Sequence, residues 1–557
     1  MATTPQPVIV LQRGIEARFL WLLLIIGMLL LFADLGDIYL WQDEAETAVI
    51  ARHLLAYGLP LSTNGVTWVQ QQGQPFIEFT RDYVWIYHPW LQFALTAAAF
   101  AALGSTTVAA RAPFALAGLA TFCFFYYFVL RWLKDERIAR AAAVLLLFCV
   151  PFILLARQCR YYVLSALFTL LTVDSYLWLR LERPWTVPYF VLSSVLLYHS
   201  DYLAFPPTLA ALLLHLFFFA RTRIVWHRFL IAFLLIAVLV VPWAYFMRLG
   251  SRAGFSSVQS QLTLVSPSRW NRFLAHLGQY FLQITLWFFP LIFIPVLIVA
   301  LLKRSKADGL ALNSTQATFC QLVGLVVVVN ILTLSTLGWV FFRYLTHLIP
   351  LLLAMLAVVI ARFLERWPVF AYTLLALLIT SNVLHILPYR LLSAAPLEQS
   401  HWWQEAVTSP TMNWVDLIRS IRFRSDLWMY AQELTHSYAG PIEGLVGYLS
   451  QHAKPGQTVL VNYEDLPLQF YTNLRVLGGF AARGVLSDQQ PDWVIDRKHG
   501  HYRDILAAIL AAASYERIEI PYPDIRNENR EEAYKHYYLL TAQGDEDHVV
   551  LYRRRGD

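Results

Sequence analysis

The chain has 557 residues, of which 58% are apolar and only 14% charged, and its net charge is +6 at neutral pH. A soluble globular protein carries about 25% charged residues, so this composition excludes an ordinary soluble enzyme and a disordered chain. Charged residues are sparse up to residue 388 and denser after it. We therefore predict a membrane-embedded domain over 1–388 and a water-soluble domain over 389–557. The basic excess lies in loops between apolar segments, where membrane topology explains it without any nucleic-acid partner.

Eleven apolar segments approach the length of about 20 residues that a membrane-spanning helix needs. They lie near residues 19–40, 113–131, 140–156, 161–179, 187–203, 204–220, 229–247, 276–302, 319–339, 345–361 and 369–388. The stretch Pro89–Gly104 is shorter and Ala-rich, and the distribution of Lys and Arg decides its position. If this stretch spans, the basic turns between the later spans all move to the outer side, against the positive-inside rule. We therefore predict that it lies in the outer interface and that the C-terminal domain is extracytoplasmic.

The first predicted outer loop, 41–112, opens with acidic residues. Asp43 and Glu44 directly follow the first span, and Thr47–Tyr57 has the apolar spacing of a surface helix. One interpretation is that the acids only stabilise the N-terminus of that helix. The other is that one carboxylate activates a hydroxyl nucleophile, because a carboxylate in a partly desolvated cleft can accept a proton. Asp43 and Glu44 are thus the candidate catalytic residues.

Arginines lie at the outer ends of several predicted spans, namely Arg111, Arg157, Arg160 and Arg343. An arginine at this depth is costly unless it meets an anion or reaches the lipid headgroups. Tyr161 follows Arg160 and Tyr344 follows Arg343, and a guanidinium beside an aromatic ring suits a phosphate at the head of an apolar chain. We predict that at least two of the four arginines bind phosphate.

Two histidines and an aspartate are candidate substrate-binding residues: His88, His199 and Asp201. Asp43, His199 and Asp201 together offer oxygen and nitrogen ligands for a divalent cation. Their spacing is not a recognised metal signature, and an isolated histidine is more often structural. The sequence requires no cofactor, and a cation remains one hypothesis.

Five motifs occur in a fixed order along residues 19–360. They are Asp43–Glu46 followed by Ile50–Leu55, then Tyr87–Leu91, Ala110–Gly118, Arg160–Tyr162, and Arg343-Tyr344 before Leu348–Pro350. In these motifs the chain resembles the GT-C glycosyltransferases that use polyprenyl-phosphate sugars. It is most similar to the protein O-mannosyltransferase and lipid A aminoarabinose transferase branches, glycosyltransferase families 39 and 83. Trp90 stands where that family has a second proline.

The resemblance implies a GT-C-like membrane fold in the inner (plasma) membrane of a bacterium. It implies a polyprenyl-phosphate sugar donor and an acceptor hydroxyl on a protein, lipid or glycan at the outer face. The transfer would be inverting, with Asp43 as general base. The donor phosphate would be held by Arg111, Arg160, Tyr161, Arg343 and Tyr344. No Gly-rich nucleotide-binding loop is evident, which disfavours a nucleotide-sugar donor.

The C-terminal domain alternates predicted strands and helices. Helix-like runs over Trp402–Tyr448 precede strands at Gln457–Tyr463, Pro491–Asp496 and His548–Tyr552, with a short helix near Leu466–Thr472 and an Ala-rich helix at Tyr502–Ser514. This pattern predicts a small α/β layer fold. Its role stays open between a scaffold over the active cleft and recognition of the acceptor.

Three other functions fit part of the sequence. A transporter would also have many spans, but it would usually show inverted repeats and charges near the bilayer midplane. A lipid-linked polysaccharide ligase or polymerase would place its key residues in a later loop. A non-catalytic lipid-binding protein would keep the arginines and need no general base.

Overall fold

The computed structural model describes residues 6–70, 77–179, 185–219, 226–249, 267–302, 312–338, 340–392, 423–436, 439–479, 490–498, 500–524 and 548–555. The N-terminal part of the chain is almost entirely helical. Its helices are α1 (Gln6–Phe32), α2 (Gln42–Tyr57), α3 (Leu91–Leu103), α4 (Thr107–Leu133), α5 (Glu136–Leu147), α6 (Val150–Ala156), α7 (Tyr162–Leu179), α8 (Thr186–Ser200), α9 (Phe205–Phe219), α10 (Trp226–Phe246), α11 (Pro267–Trp287), α12 (Phe293–Leu302), α13 (Ser314–Leu334), the 3-10 helix Phe342–Leu348, α14 (Ile349–Arg366), α15 (Pro368–Thr380) and α16 (Val383–Leu392).

Each apolar segment predicted from the sequence contains helix, and the polytopic membrane architecture is supported by helix length and composition. Within the described residues, five helices are long and apolar enough to cross a membrane, or seven spans if two bent helix pairs are each counted once. The count of eleven spans and the orientation in the membrane stay predictions. Most of the predicted loop Arg248–Arg272 lies outside the described residues, as do Trp339 and several basic turns.

Three of the predicted spans are bent or broken, which hydropathy alone does not reveal. Helices α5 and α6 form one segment bent by 62°, and α15 and α16 form another bent by 93°. The segment near 276–302 is two helices, α11 and α12, with Pro290 between them. Proline lacks the N–H that continues a helix, so it favours this interruption.

Helix α3 covers most of Pro89–Gly104, the stretch that the distribution of Lys and Arg predicts to be interfacial. Its 13 residues extend about 20 Å, against a hydrocarbon core of about 30 Å. The helix ends at Gly104, whose φ of 79° is one that glycine adopts without strain. The helix is shorter than the hydrocarbon core is thick, and its interfacial position stays a prediction.

Helix α14 lies at the centre of the membrane domain, since every residue from Ile349 to Arg362 is buried. A helix that is apolar on all sides needs neighbours on all sides. The 3-10 helix Phe342–Leu348 leads directly into α14 and carries Arg343. Arg343 therefore lies just before a deeply buried helix.

The C-terminal domain is a mixed sheet with helices: α17 (Asp426–Glu433), α18 (Pro441–His452), β1 (Thr458–Val461), α19 (Asp465–Tyr471), β2 (Arg475–Gly478), β3 (Trp493–Ile495), α20 (Arg503–Ala512), β4 (Tyr515–Pro523) and β5 (His548–Arg554). The strand order is β2-β1-β3-β5-β4, with β1 parallel to β2 and β3, and β5 antiparallel to β3 and β4. The predicted strands and helices from residue 457 onwards are confirmed, whereas the sequence pattern does not predict β2 and β4. Residues 401–422 of the predicted helical run lie outside the described residues.

Candidate active site

The first turn of α2 places three consecutive polar side chains in three directions. An α-helix turns by about 100° per residue, so neighbours in sequence face different surroundings. Gln42 faces the C-terminal domain, Asp43 faces two arginines, and Glu44 faces Arg111. The two acids that the sequence offers together as catalytic candidates therefore have separate environments.

Glu44 and Arg111 form a closed, buried pair. The guanidinium of Arg111 donates from Nε and Nη2 to the two carboxylate oxygens, at 2.8 and 2.6 Å. Arg111 also donates to the carbonyl oxygens of Leu35, Ile38 and Tyr39, and Glu44 accepts from the backbone N–H of Cys159 at 2.7 Å. These contacts join α2, α4 and the turn before α7. The catalytic role of Glu44 and the phosphate-binding role of Arg111 stay predictions, and the contacts themselves describe a scaffold.

Asp43 lies in a more open arrangement. Its Oδ2 is 3.9 Å from Nη2 of Arg160 and 3.8 Å from Nη2 of Arg343. Its side chain is 14% exposed, whereas that of Glu44 is fully buried. Charge-assisted hydrogen bonds measure about 2.7–2.9 Å, so these three groups face one another across a gap.

Arg160, in the turn before α7, is fixed by a second acid. Its Nη1 donates to Oε1 of Glu46 at 2.9 Å, to the hydroxyl of Thr47 at 3.2 Å, and to the carbonyl oxygen of Asp43 at 3.0 Å. Nδ1 of His88 lies 2.7 Å from the same carboxylate oxygen, and Nε2 of His88 accepts from Nη2 of Arg160 at 3.2 Å. The proton of a neutral His88 ring therefore sits on Nδ1, facing Glu46.

The charge states of this cluster follow from burial and from its partners. Burial alone would raise the pKa of Glu46, but the nearby His88 and Arg160 outweigh it and lower that pKa to about 2. Burial lowers the pKa of His88, which Glu46 only partly opposes. Near neutral pH the cluster thus holds a charged Glu46, a charged Arg160 and a neutral His88.

Glu46 belongs to this cluster, but the sequence analysis does not single it out. It appeared there only as a letter of the first motif. The available signal was its position three residues after Asp43, which places it on the same side of α2. Its partners, His88 and Arg160, are distant in sequence, so the pattern around Glu46 could not identify them.

Aromatic rings border the arginines. The guanidinium carbon of Arg343 lies 3.9 Å from the ring centre of Phe341, and that of Arg160 lies 5.6 Å from the ring centre of Tyr161. Tyr344 lies 5.9 Å from the guanidinium of Arg343. A guanidinium group that packs against an aromatic ring is desolvated on that face, and its planar fork of donors suits a carboxylate or a phosphate.

Asp201 and His199, two of the predicted substrate-binding residues, make contacts of different kinds. Asp201 accepts hydrogen bonds from the hydroxyl of Ser165 and from the N–H groups of Leu203 and Ala204, just before α9 begins. The ring of His199 packs 5.1 Å from that of Trp243. Among the described residues no group of three or more His, Cys, Asp or Glu is arranged to hold a metal ion. Asp43, His199 and Asp201 therefore form no such group among the described residues, and the divalent cation stays a prediction.

Helix α4 relates this region to the rest of the membrane domain. Arg111 lies in its second turn and Arg131 in its last turn, about 30 Å apart along the helix axis. That distance matches the thickness of the hydrocarbon core. The acidic and arginine cluster and the basic α4–α5 turn therefore lie at opposite ends of a helix that is long and apolar enough to cross a membrane.

Comparison with known proteins finds solved structures of similar fold. The sequence matches no family model and no curated protein. Its structure is similar to that of ArnT, the lipid A aminoarabinose transferase, from Cupriavidus metallidurans in the apo state, with a TM-score of 0.54 and 14% identity over 97% of this chain and 98% of that one. The structure of the same protein bound to undecaprenyl phosphate matches over the same shares with a TM-score of 0.53. The similarity to ArnT confirms the fold that the motif resemblance implies.

Proposed function

We propose that this protein is a membrane glycosyltransferase that moves a sugar from a polyprenyl-phosphate donor to an acceptor hydroxyl with inversion at the anomeric carbon. The observation that carries the proposal is the cluster in which the Asp43 carboxylate lies 3.9 Å from the guanidinium group of Arg160 and 3.8 Å from that of Arg343. A general base and two phosphate-binding groups meet there at one membrane surface. The fold supports it, since a structure of similar fold binds undecaprenyl phosphate.

Arg160 and Arg343 hold the donor phosphate in this proposal. When the bond between the anomeric carbon and the phosphate oxygen breaks, its electron pair passes to that oxygen and negative charge grows on the phosphate. Fixed guanidinium groups stabilise this charge most strongly where water is scarce. Glu46 and Thr47 already hold Arg160, so little reorganisation is needed during the reaction.

Asp43 takes the proton of the acceptor hydroxyl. The acceptor oxygen forms a new bond to the anomeric carbon on the face opposite the phosphate, and the hydroxyl proton passes to the Asp43 carboxylate. Prenyl phosphate leaves, and the configuration at the anomeric carbon is inverted. The membrane confines donor and acceptor to one surface, which adds the large gain of proximity.

The extracytoplasmic position of the site belongs to the same proposal. The turn between α4 and α5, at the end of α4 remote from Asp43, is rich in basic residues: Arg131, Lys134, Arg137 and Arg140. Cytoplasmic loops carry such an excess of Lys and Arg. In this orientation Asp43 and the C-terminal domain lie on the extracytoplasmic side. The membrane in this proposal is the inner membrane of a bacterium.

The direct test supplies the purified full-length protein with several prenyl-phospho-sugars and with lipid, glycan and protein acceptors. We expect prenyl phosphate to be released with at least one donor, together with a glycosylated product of inverted anomeric configuration. Release should be lost in Asp43→Asn and kept in Asp82→Asn, an exposed acid of the same loop. Donor binding without release in every combination would contradict the proposal and favour a lipid-binding protein.

A further inference from the structure

Helix α19 of the C-terminal domain packs directly against the acid-bearing helix α2. Asp465 begins α19 and Tyr471 ends it, and the helix follows strand β1 of the sheet. Within the described residues, its polar contacts reach the first turn of α2, the middle of that helix, and the start of α4. The soluble domain therefore touches the elements that carry Asp43 and Arg111.

The contact closest to Asp43 is made by the residue before it. Gln42 donates from Nε2 to Oδ1 of Asp465 at 2.8 Å, and its Oε1 accepts from the N–H of Leu466 at 3.4 Å. Gln42 and Asp465 are both buried. A buried amide that is used at both its donor and its acceptor end has a fixed orientation.

The second contact lies about 15 Å further along α2, since each residue advances the helix by about 1.5 Å. Nη1 of Arg52 donates to the carbonyl oxygen of Phe470 at 2.6 Å, and its guanidinium carbon lies 3.7 Å from the Phe470 ring centre. Two contacts this far apart fix both the rotation and the tilt of α2 against α19.

The third contact ties α19 to the start of α4. The hydroxyl of Tyr471 shares a hydrogen bond with that of Thr107 at 2.8 Å and accepts from the N–H of Leu40 at 2.8 Å. Burial raises the pKa of Tyr471 to about 12, so its proton is retained at all physiological pH values. Thr107 begins α4, the helix that carries Arg111.

We propose that α19 is a positioning element of the active site, and that Gln42 and Asp465 are positioning residues that fix the first turn of α2. Glu44 holds this turn from one side through Arg111, and Gln42 holds it from another through Asp465. Asp43 lies between them and faces the arginines. A displacement of about 1 Å of a catalytic group can lower the rate by about 100-fold. The soluble domain thereby controls turnover through the base; this inference rests on the proposed function.

An exchange of side chains tests it. Gln42→Glu sets one carboxylate against another, and we expect kcat to fall by about 10-fold or more with a much smaller change in KM for the donor. Adding Asp465→Asn restores an amide–carboxylate pair with its polarity reversed, and kcat should return to within about 3-fold of the wild type. Glu519→Gln, on an exposed strand of the same domain, serves as the matched control.

A second measurement does not depend on activity. Asp465→Ala removes the acceptor of Gln42, and we expect faster hydrogen–deuterium exchange in the peptide covering Gln42–Ala48, with exchange in α14 unchanged. Unchanged exchange in that peptide would overturn the inference even if the charge variant does not fold. Wild-type kcat in Gln42→Glu, or a loss that Asp465→Asn does not repair, would overturn it as well. A wild-type protein that releases no prenyl phosphate would instead refute the proposed function.

Discussion

Asp43 and Glu44 are neighbours in sequence, yet their surroundings differ in almost every physical respect. Glu44 is buried and bound at hydrogen-bond distance by Arg111 and by a backbone N–H. Asp43 is partly exposed and faces Arg160 and Arg343 at nearly 4 Å. The Glu44 carboxylate is held by short hydrogen bonds, whereas the Asp43 carboxylate lies 3.8–3.9 Å from its arginines. The comparison separates the buried Glu44–Arg111 pair from the Asp43 cluster, one helical position away, in which we propose that the reaction takes place.

The largest effect should come from removing the base. Asp43→Asn keeps the shape of the side chain and loses its ability to take a proton, so kcat should fall by about 100- to 10,000-fold. The melting temperature should change little, because the Asp43 carboxylate is partly exposed and faces its arginines at nearly 4 Å. Turnover of a prenyl-phospho-sugar and thermal unfolding in detergent measure the two quantities. Turnover within a few fold of the wild type would assign the base elsewhere.

Substitution in the Glu44–Arg111 pair should instead lower the stability of the protein. Arg111→Met leaves the Glu44 carboxylate buried without its cation, and breaking such a pair costs about 3–5 kcal/mol of stability. We expect a clear loss of melting temperature, partly recovered when Glu44→Gln is added. A variant that keeps its melting temperature but shows a raised KM for the donor would contradict a structural role for Arg111. It would return Arg111 to the phosphate-binding role that the sequence predicts.

The arginine facing Asp43 gives the next effect. Arg343→Ala removes a charged donor worth about 1.5–3 kcal/mol, so affinity for the donor lipid should fall by about 10- to 100-fold. Arg343→Lys keeps the charge but loses the planar fork, and its affinity should be intermediate. Arg81→Ala, an exposed arginine of the first outer loop, is the control. Equal donor affinity in Arg343→Ala and Arg81→Ala would exclude Arg343 from the donor site.

The smallest effect concerns pH. The pKa of Glu46 is lowered from 4.5 to about 2 in the folded protein, because His88 and Arg160 favour its charged form despite burial. Its stabilising contribution is therefore full above pH 4.5 and is lost as the pH falls towards 2. In Glu46→Gln the melting temperature should be lower at neutral pH and should depend less on pH between about 4.5 and 3. An acid-induced decline as steep as that of the wild type would remove Glu46 from this role.

The sequence predicts those parts of the molecule that local patterns determine. Long apolar runs locate the helices of the membrane domain. In the C-terminal domain, short segments predicted as strands locate β1, β3 and β5. The order of the motifs assigns Asp43, Arg160 and Arg343 to one site, and the fold brings the three side chains together. Arginines at the ends of apolar helices are costly enough to indicate an anion site without knowledge of the fold.

Other features depend on contacts between distant segments, and no local pattern encodes them. The bends after α5 and α15 are one example, since hydropathy measures the length of an apolar run and not its direction. The closure of Glu44 by Arg111 is another, because either adjacent acid could have met that arginine. The first half of strand β4 carries three charged residues, and the strand is recognised by its pairing with β5. The contact between Gln42 and Asp465 joins residues 423 positions apart.

The most direct test of the account measures donor binding and turnover separately in Asp43→Asn. If Asp43 is a base that stands beside the phosphate-binding arginines, its neutralisation removes a competing negative charge. The variant should then bind a prenyl-phospho-sugar at least as tightly as the wild type while releasing almost no prenyl phosphate. Loss of donor binding together with turnover would show that Asp43 holds the donor, and the division between a base and its arginines would be wrong.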